Sequence, residues 1–215
     1  MEFFTYVSEN WSRISFLAMQ HVQLVLISVL LAGAVSLGLV AATERLPRAR
    51  SAMLSISGTL LTIPSFALFA LLIPILGLGV APTILALTTY AVFPIARNAV
   101  TGLEGVDPSV VDAARGMGMS SARRLFLVRL PLAWPVILNG FRVATIMVVA
   151  TAAIGAAVNG PGLGELIFRG LSRIGGANAM NEALSGVIAI AAVAAVLDLL
   201  FVVIGKLTTS RGLHV

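Results

Sequence analysis

The residues able to do chemistry in this 215-residue chain are few and far apart. His21 and His214 are its two histidines and stand at opposite ends, so no local His-rich metal cluster or His-based triad can form. Cysteine is absent, which removes disulfides and thiolate metal sites. A phosphate-cradling loop needs glycines at fixed spacing before a lysine and then a hydroxyl. The sole lysine, Lys206, follows Gly205, but Leu200 holds the first glycine position and Leu207 the hydroxyl position. Neither catalysis, a metal nor a cofactor is expected. Two charges remain inside apolar sequence, Arg142 and Asp198, each about 10 to 12 Å from a helix end at 1.5 Å per residue. Such charges are costly in hydrocarbon. Either they pair, lining an inner gate, or Arg142 snorkels to the headgroups while Asp198 borders a wet cavity.

A second set of informative residues runs from Gly105 to Pro131. Asp107 is placed to cap a helix, Pro108 suits its first position, and Gly116 and Gly118 permit a left-handed exit. Ser120 or Ser121 then caps a second helix carrying Arg123, Arg124, Leu125, Phe126, Val128 and Arg129, which is expected to end at Leu130-Pro131. This segment reads as two short helices joined by glycines.

The elements that must hold these residues are membrane spans. The chain is 59% hydrophobic and 11% charged, with a mean hydropathy of +1.03, outside the range of a soluble domain. Because a span needs roughly 20 apolar residues, uncharged runs count as crossings. The runs predict five helices near 20–42, 53–73, 80–97, 135–158 and 183–205, with a loop over 98–134, in one all-α membrane domain. Gly77, Gly79 and Pro82 mark the turn between the second and third. Pro64, Pro74 and Pro94 are expected to interrupt those two spans and bend them around a solute path.

Arginine and lysine set the orientation. Arg45, Arg48, Arg50, Arg97, Arg115, Arg123, Arg124, Arg129, Lys206 and Arg211 fall on one side. Opposite them, Arg13, Arg169 and Arg173 are offset by Glu2, Glu9, Glu165 and Glu182. The N-terminus is therefore expected outside and the C-terminus in the cytoplasm. The net charge of +5 reports topology, since a nucleic-acid surface would add stacking aromatics on a soluble face. Acid in Met1-Glu2-Phe3-Phe4 argues against a cleaved signal. Beyond the fourth span, Leu163, Leu166, Ile167, Leu171 and Ile174 interleave with Glu165, Arg169 and Arg173. They predict an external amphipathic helix, capping the mouth or lying on the bilayer. His21 and Gln23 read as interfacial residues without a role.

With these residues in place, the chain resembles the permeases of binding-protein-dependent ABC importers. Their Glu-Ala-Ala, glycine and Ile-x-Leu-Pro spacing is matched by Asp112-Ala113-Ala114, Gly118 and Val128-Arg129-Leu130-Pro131, with Asp for Glu and Val for Ile. The resemblance implies that Asp112, Ala113, Ala114, Arg115, Gly116, Met117 and Gly118, with Leu130 and Pro131, couple the chain to a separate ATP-binding subunit. Small side chains would let the helix lie deep in a groove of that partner. Thr62-Ile63-Pro64-Ser65, Arg97-Asn98, Gly105-Val106-Asp107-Pro108 and Gly162-Leu163-Gly164-Glu165 extend the likeness to the osmoprotectant branch of the family. That branch implies uptake of glycine betaine, choline, carnitine or proline betaine, an external substrate-binding protein as a separate chain, and a second permease subunit, copy or paralogue. The alternatives are an importer permease for methionine or another small solute, and an ion-coupled carrier using Asp198.

Overall fold

A computed structural model of the chain describes residues 2–208; Met1, Arg211 and His214 lie outside the described residues. Among the described residues ten α-helices make up the fold: α1 (Phe3–Glu9), α2 (Trp11–Ala42), α3 (Pro47–Thr62), α4 (Ser65–Leu76), α5 (Val80–Glu104), α6 (Pro108–Gly116), α7 (Ser121–Arg124), α8 (Leu130–Ala152), α9 (Gly164–Ser172) and α10 (Ala179–Thr208). A π-turn over Leu125–Arg129 joins α7 to α8, and a 3-10 turn over Ala153–Val158 ends α8. Among the described residues four helical stretches are long and apolar enough to cross a membrane; counted as one span, the pair α3 and α4, bent by 97°, makes a fifth.

Proline chemistry makes that bend. The Pro64 ring cannot follow a helical residue without strain, so Ile63 takes an extended conformation and its carbonyl leaves the helix. The Tyr90 hydroxyl on α5 donates to that carbonyl at 2.7 Å, so the break has a bonded partner inside the bundle. Pro74 and Pro94 behave differently from expectation. Each lies within a continuous helix, α4 and α5 respectively, and Pro94 is buried. Only Pro64 among the three breaks the chain's path.

α5 is the central helix, packed on α2 and α8 with α3 and α4 along its flank. Val25 and Ala32 of α2, Leu87, Ala91 and Ile95 of α5, and Ala144 and Val148 of α8 form the main core. Small residues let these helices approach closely, as membrane packing requires when hydrocarbon replaces water. At the α5–α8 crossing a Cβ on Gly140 would lie 2.6 Å from Asn98 Cβ and 3.0 Å from the Pro94 carbonyl oxygen. Ser36 Oγ donates to Val92 O at 3.0 Å, which ties α2 to α5 within the bundle.

Several helix ends depart from the hydropathy count. α2 begins at Trp11 because Arg13 is neutralised: it donates to Glu165 at 2.9 Å and Glu182 at 3.1 Å. α5 continues past Arg97 to Glu104, since Ala99, Val100 and Leu103 still bury against neighbours. The expected loop of 98–134 shortens accordingly. Its second helix also does not end at Leu130-Pro131: the π-turn carries the helical path from α7 through Leu130 and Pro131 into α8 without a break. α9 is not laid on a bilayer surface by its apolar side: Leu163 and Leu166 are buried with Ile14 and Leu17 of α2.

Candidate functional site

At one end of the bundle, α6 and α7 form the helix pair anticipated between the third and fourth spans. Asp107 Oδ1 accepts from the Ser109 amide at 2.8 Å, and Pro108 fills the first helical position. Bonding from Ser109 holds the Asp107 carboxyl below the ordinary carboxylate range. α6 closes in a left-handed turn: Met119 N donates to Ala114 O at 3.2 Å and Gly118 N to Arg115 O at 2.9 Å. Gly118 alone carries the positive φ, at 78°, while Gly116 is still helical. Of the two glycines expected to permit a left-handed exit, Gly118 is the one that makes it. Ser120 Oγ then accepts from the Arg123 amide at 3.4 Å to open α7.

The outward surface of α6 comprises Asp112, Ala113, Arg115, Gly116 and Met117, the last 70% exposed. Ala114 does not belong to it. Its side chain is 2% exposed, turned into the chain's own interior, so of the two alanines Ala113 is the one presented outward. Leu130 is half-buried and Pro131 exposed, both in the first turn of α8.

Behind this pair lies a charged joint that spacing alone did not disclose. Arg129, at the end of the π-turn, bonds the Glu44 carboxylate at the foot of α2 and donates to Leu103 O of α5 at 3.2 Å. Arg50 of α3 donates to Glu104 Oε1 at 2.8 Å and to Glu44 O at 3.3 Å. Together they line an open pocket of about 390 Å³ that Val111 of α6 and Arg124 of α7 also border. Four helix ends are therefore bonded to one another directly beside α6.

Within the spans, Arg142 and Asp198 meet as a two-pronged pair: Nε donates to Oδ1 at 2.6 Å and Nη2 to Oδ2 at 2.8 Å. The pair joins α8 to α10 and is partly exposed. His21 occupies a place the sequence did not suggest. It is fully buried, with Nε2 3.1 Å from Val149 O. Its ring fits because Gly162, at φ 116°, has no Cβ; one there would stand 2.9 Å from Nδ1. The glycine-rich turn Gly160-Pro161-Gly162 was the one available signal. At that end of the bundle Arg13, Glu165, Arg169 and Glu182 form a continuous ionic cluster linking α2, α9 and α10.

Comparison with known proteins agrees with this architecture. The family described as "Binding-protein-dependent transport system inner membrane component" matches residues 34–211. The glycine betaine/carnitine/choline transport system permease protein OpuCB of Bacillus subtilis is 31% identical over 210 residues, 98% of this chain and 95% of that protein. The osmoprotectant import permease protein OsmW of Salmonella typhimurium is 34% identical over 219 residues, the full length of both. Among solved structures, a chain of the inward-facing MetNI methionine ABC transporter superposes with a TM-score of 0.78 at 22% identity, over 92% of this chain and 96% of that one. The chain therefore belongs to the binding-protein-dependent transport inner membrane component family and is a multi-pass permease subunit of the cytoplasmic membrane.

Proposed function

We propose that this permease forms the translocation pathway for small osmoprotectants such as glycine betaine, choline, carnitine or proline betaine. Likeness over nearly the whole chain to relatives named for glycine betaine, carnitine, choline or osmoprotectant transport is the observation that carries the reading. Its partners are a separate ATP-binding subunit, a substrate-binding protein on the outer face and a second permease subunit, either a copy or a paralogue. The N-terminus lies outside and α6 in the cytoplasm, as the placement of arginines supports.

Mechanistically, α6 lies in a groove of the ATPase with Asp112 and Ala113 outermost. ATP-driven closure of two ATPases draws the two α6 helices together and opens the path outward, where the loaded binding protein delivers solute. Hydrolysis resets it inward, in an alternating-access cycle. The joint of Arg129, Glu44, Arg50 and Glu104 supports this reading, since it bonds the base of the lever to α2, α3 and α5. The chain supplies pathway and lever, and the ATPase supplies the chemistry.

Reconstituted with its ATPase and binding protein, the complex is expected to take up labelled glycine betaine or choline only with ATP. Ala113→Arg is expected to abolish that uptake while the permease still inserts. Uptake driven by an ion gradient without an ATPase, or undiminished uptake in Ala113→Arg, is the result that refutes the reading.

A further inference from the structure

α5 carries a charge without a counterpart among the described residues. Arg97 is exposed, and among the described residues no side chain or carbonyl accepts from its guanidinium. The end of α5 at Glu104 is seven positions on, so at about 1.5 Å per residue Arg97 sits about 10 Å inside that end. The crossing of Asn98 with Gly140 puts it almost level with Arg142 on α8. One of these two arginines is engaged by Asp198, and the other by nothing among the described residues. A guanidinium at such depth calls for a partner or a wet cavity.

Polar groups stand at the next position of α5 and across its crossing with α8. Asn139 of α8 is exposed and donates to Asn98 Oδ1 at 3.5 Å, while Asn98 Nδ2 donates to Pro94 O at 2.8 Å. Thr101, one turn along α5 from Arg97, is exposed as well. On α8 the neighbours of Asn139 along its open face are apolar, Val136 and Val143. A planar cation, an amide and a hydroxyl thus stand exposed among apolar residues along this face, as far as the described residues go. Guanidinium offers only donors, in a fork that matches a carboxylate.

We propose that Arg97, with Asn139 beside it, is a carboxylate-recognising subsite on the translocation path, engaging the acidic end of a zwitterionic solute as it passes between the two permease subunits. This rests on the osmoprotectant reading above and adds to it a basis for discrimination. Glycine betaine carries the carboxylate; choline carries a hydroxyl in its place and gains nothing from the guanidinium.

The test uses proteoliposomes holding the complete complex, with ATP-dependent uptake of both solutes measured for wild type, Arg97→Gln and Arg97→Lys. Loss of a charge-assisted bond predicts a fall of roughly tenfold or more in glycine betaine uptake by Arg97→Gln relative to choline, with Arg97→Lys recovering part of it. If wild type carries glycine betaine alone, the same fall and the same recovery by lysine are expected. Equal losses for both solutes, loss without recovery by lysine, or no loss overturn the subsite, and point instead to pairing with an acid of the second permease or to a packing role. A wild type that carries choline alone also overturns it. A wild type that moves neither solute refutes the osmoprotectant reading itself, and the subsite falls with it.

Discussion

The contact between α5 and α8 at Gly140 offers the sharpest test of the packing. Replacing Gly140 by alanine adds one carbon at 2.6 Å from Asn98 Cβ, 3.0 Å from Pro94 O and 3.3 Å from Asn98 Cγ. Carbon atoms settle at about 3.5–4.0 Å, so the two helices must part by about 1 Å. None of the atoms met is the far end of a flexible side chain, and rotamer changes cannot absorb the insertion. Overpacking of this kind costs about 1–3 kcal/mol, against a gain of about 0.5–1 kcal/mol from removing a mid-helix glycine. Taken at the middle of each range, the balance is a loss of about 1 kcal/mol, or roughly 2–4 °C in Tm for a chain of this size. Gly38→Ala is the internal control. Gly38 lies in α2 with no atom within 4 Å of the added carbon, so only the helix gain of about 0.5–1 kcal/mol remains and Tm should rise. Thermal unfolding of both variants, followed by near-ultraviolet circular dichroism in one detergent, separates the cases. If Gly140→Ala proves as stable as wild type, or shifts in the same direction as Gly38→Ala, the close crossing is wrong.

Two further outcomes follow from bonds at the helix ends. Arg129→Gln frees Glu44 and Leu103 O, so the assembled complex should keep its ATPase activity while moving fewer solute molecules per ATP. The exchange of Glu44→Arg with Arg129→Glu should restore part of that ratio, and a proportional fall of uptake and hydrolysis would count against the joint as a transmission point. Tyr90→Phe removes the 2.7 Å bond to Ile63 O and should cost about 0.5–1.5 kcal/mol in the same unfolding assay. An unchanged Tm would mean that the bend at Pro64 holds without it.

The spans were legible because an uncharged run long enough to cross hydrocarbon has few other uses. Their limits were less so, since counting places a boundary at the first cation. Arg13 and Arg97 both broke that rule, one because two glutamates far along the chain neutralise it and one because α5 stays packed on α8 beyond it. The cap at Asp107 and the turn at Gly118 depend on neighbours two to five residues away, and local chemistry disclosed them. Ala114 was harder, because two adjacent alanines look alike in sequence and differ only in which side of a nine-residue helix each occupies. His21 and the joint around Arg129 needed partners from 26 to 128 residues away, which no spacing rule reaches.

The π-turn at Leu125–Arg129 has a bearing on how α6 and α8 are timed. Such a turn accommodates one surplus residue, so the helices on its two sides keep a phase that an unbroken α-helix would not give them. Removing one residue there would rotate everything upstream by about 100° relative to α8. With α8 clamped by Gly140 and by the Asp198 pair, the rotation must appear in α7 and α6, swinging Ala113 away from the direction it now faces. A single-codon deletion would then leave a well-inserted permease whose handle points the wrong way.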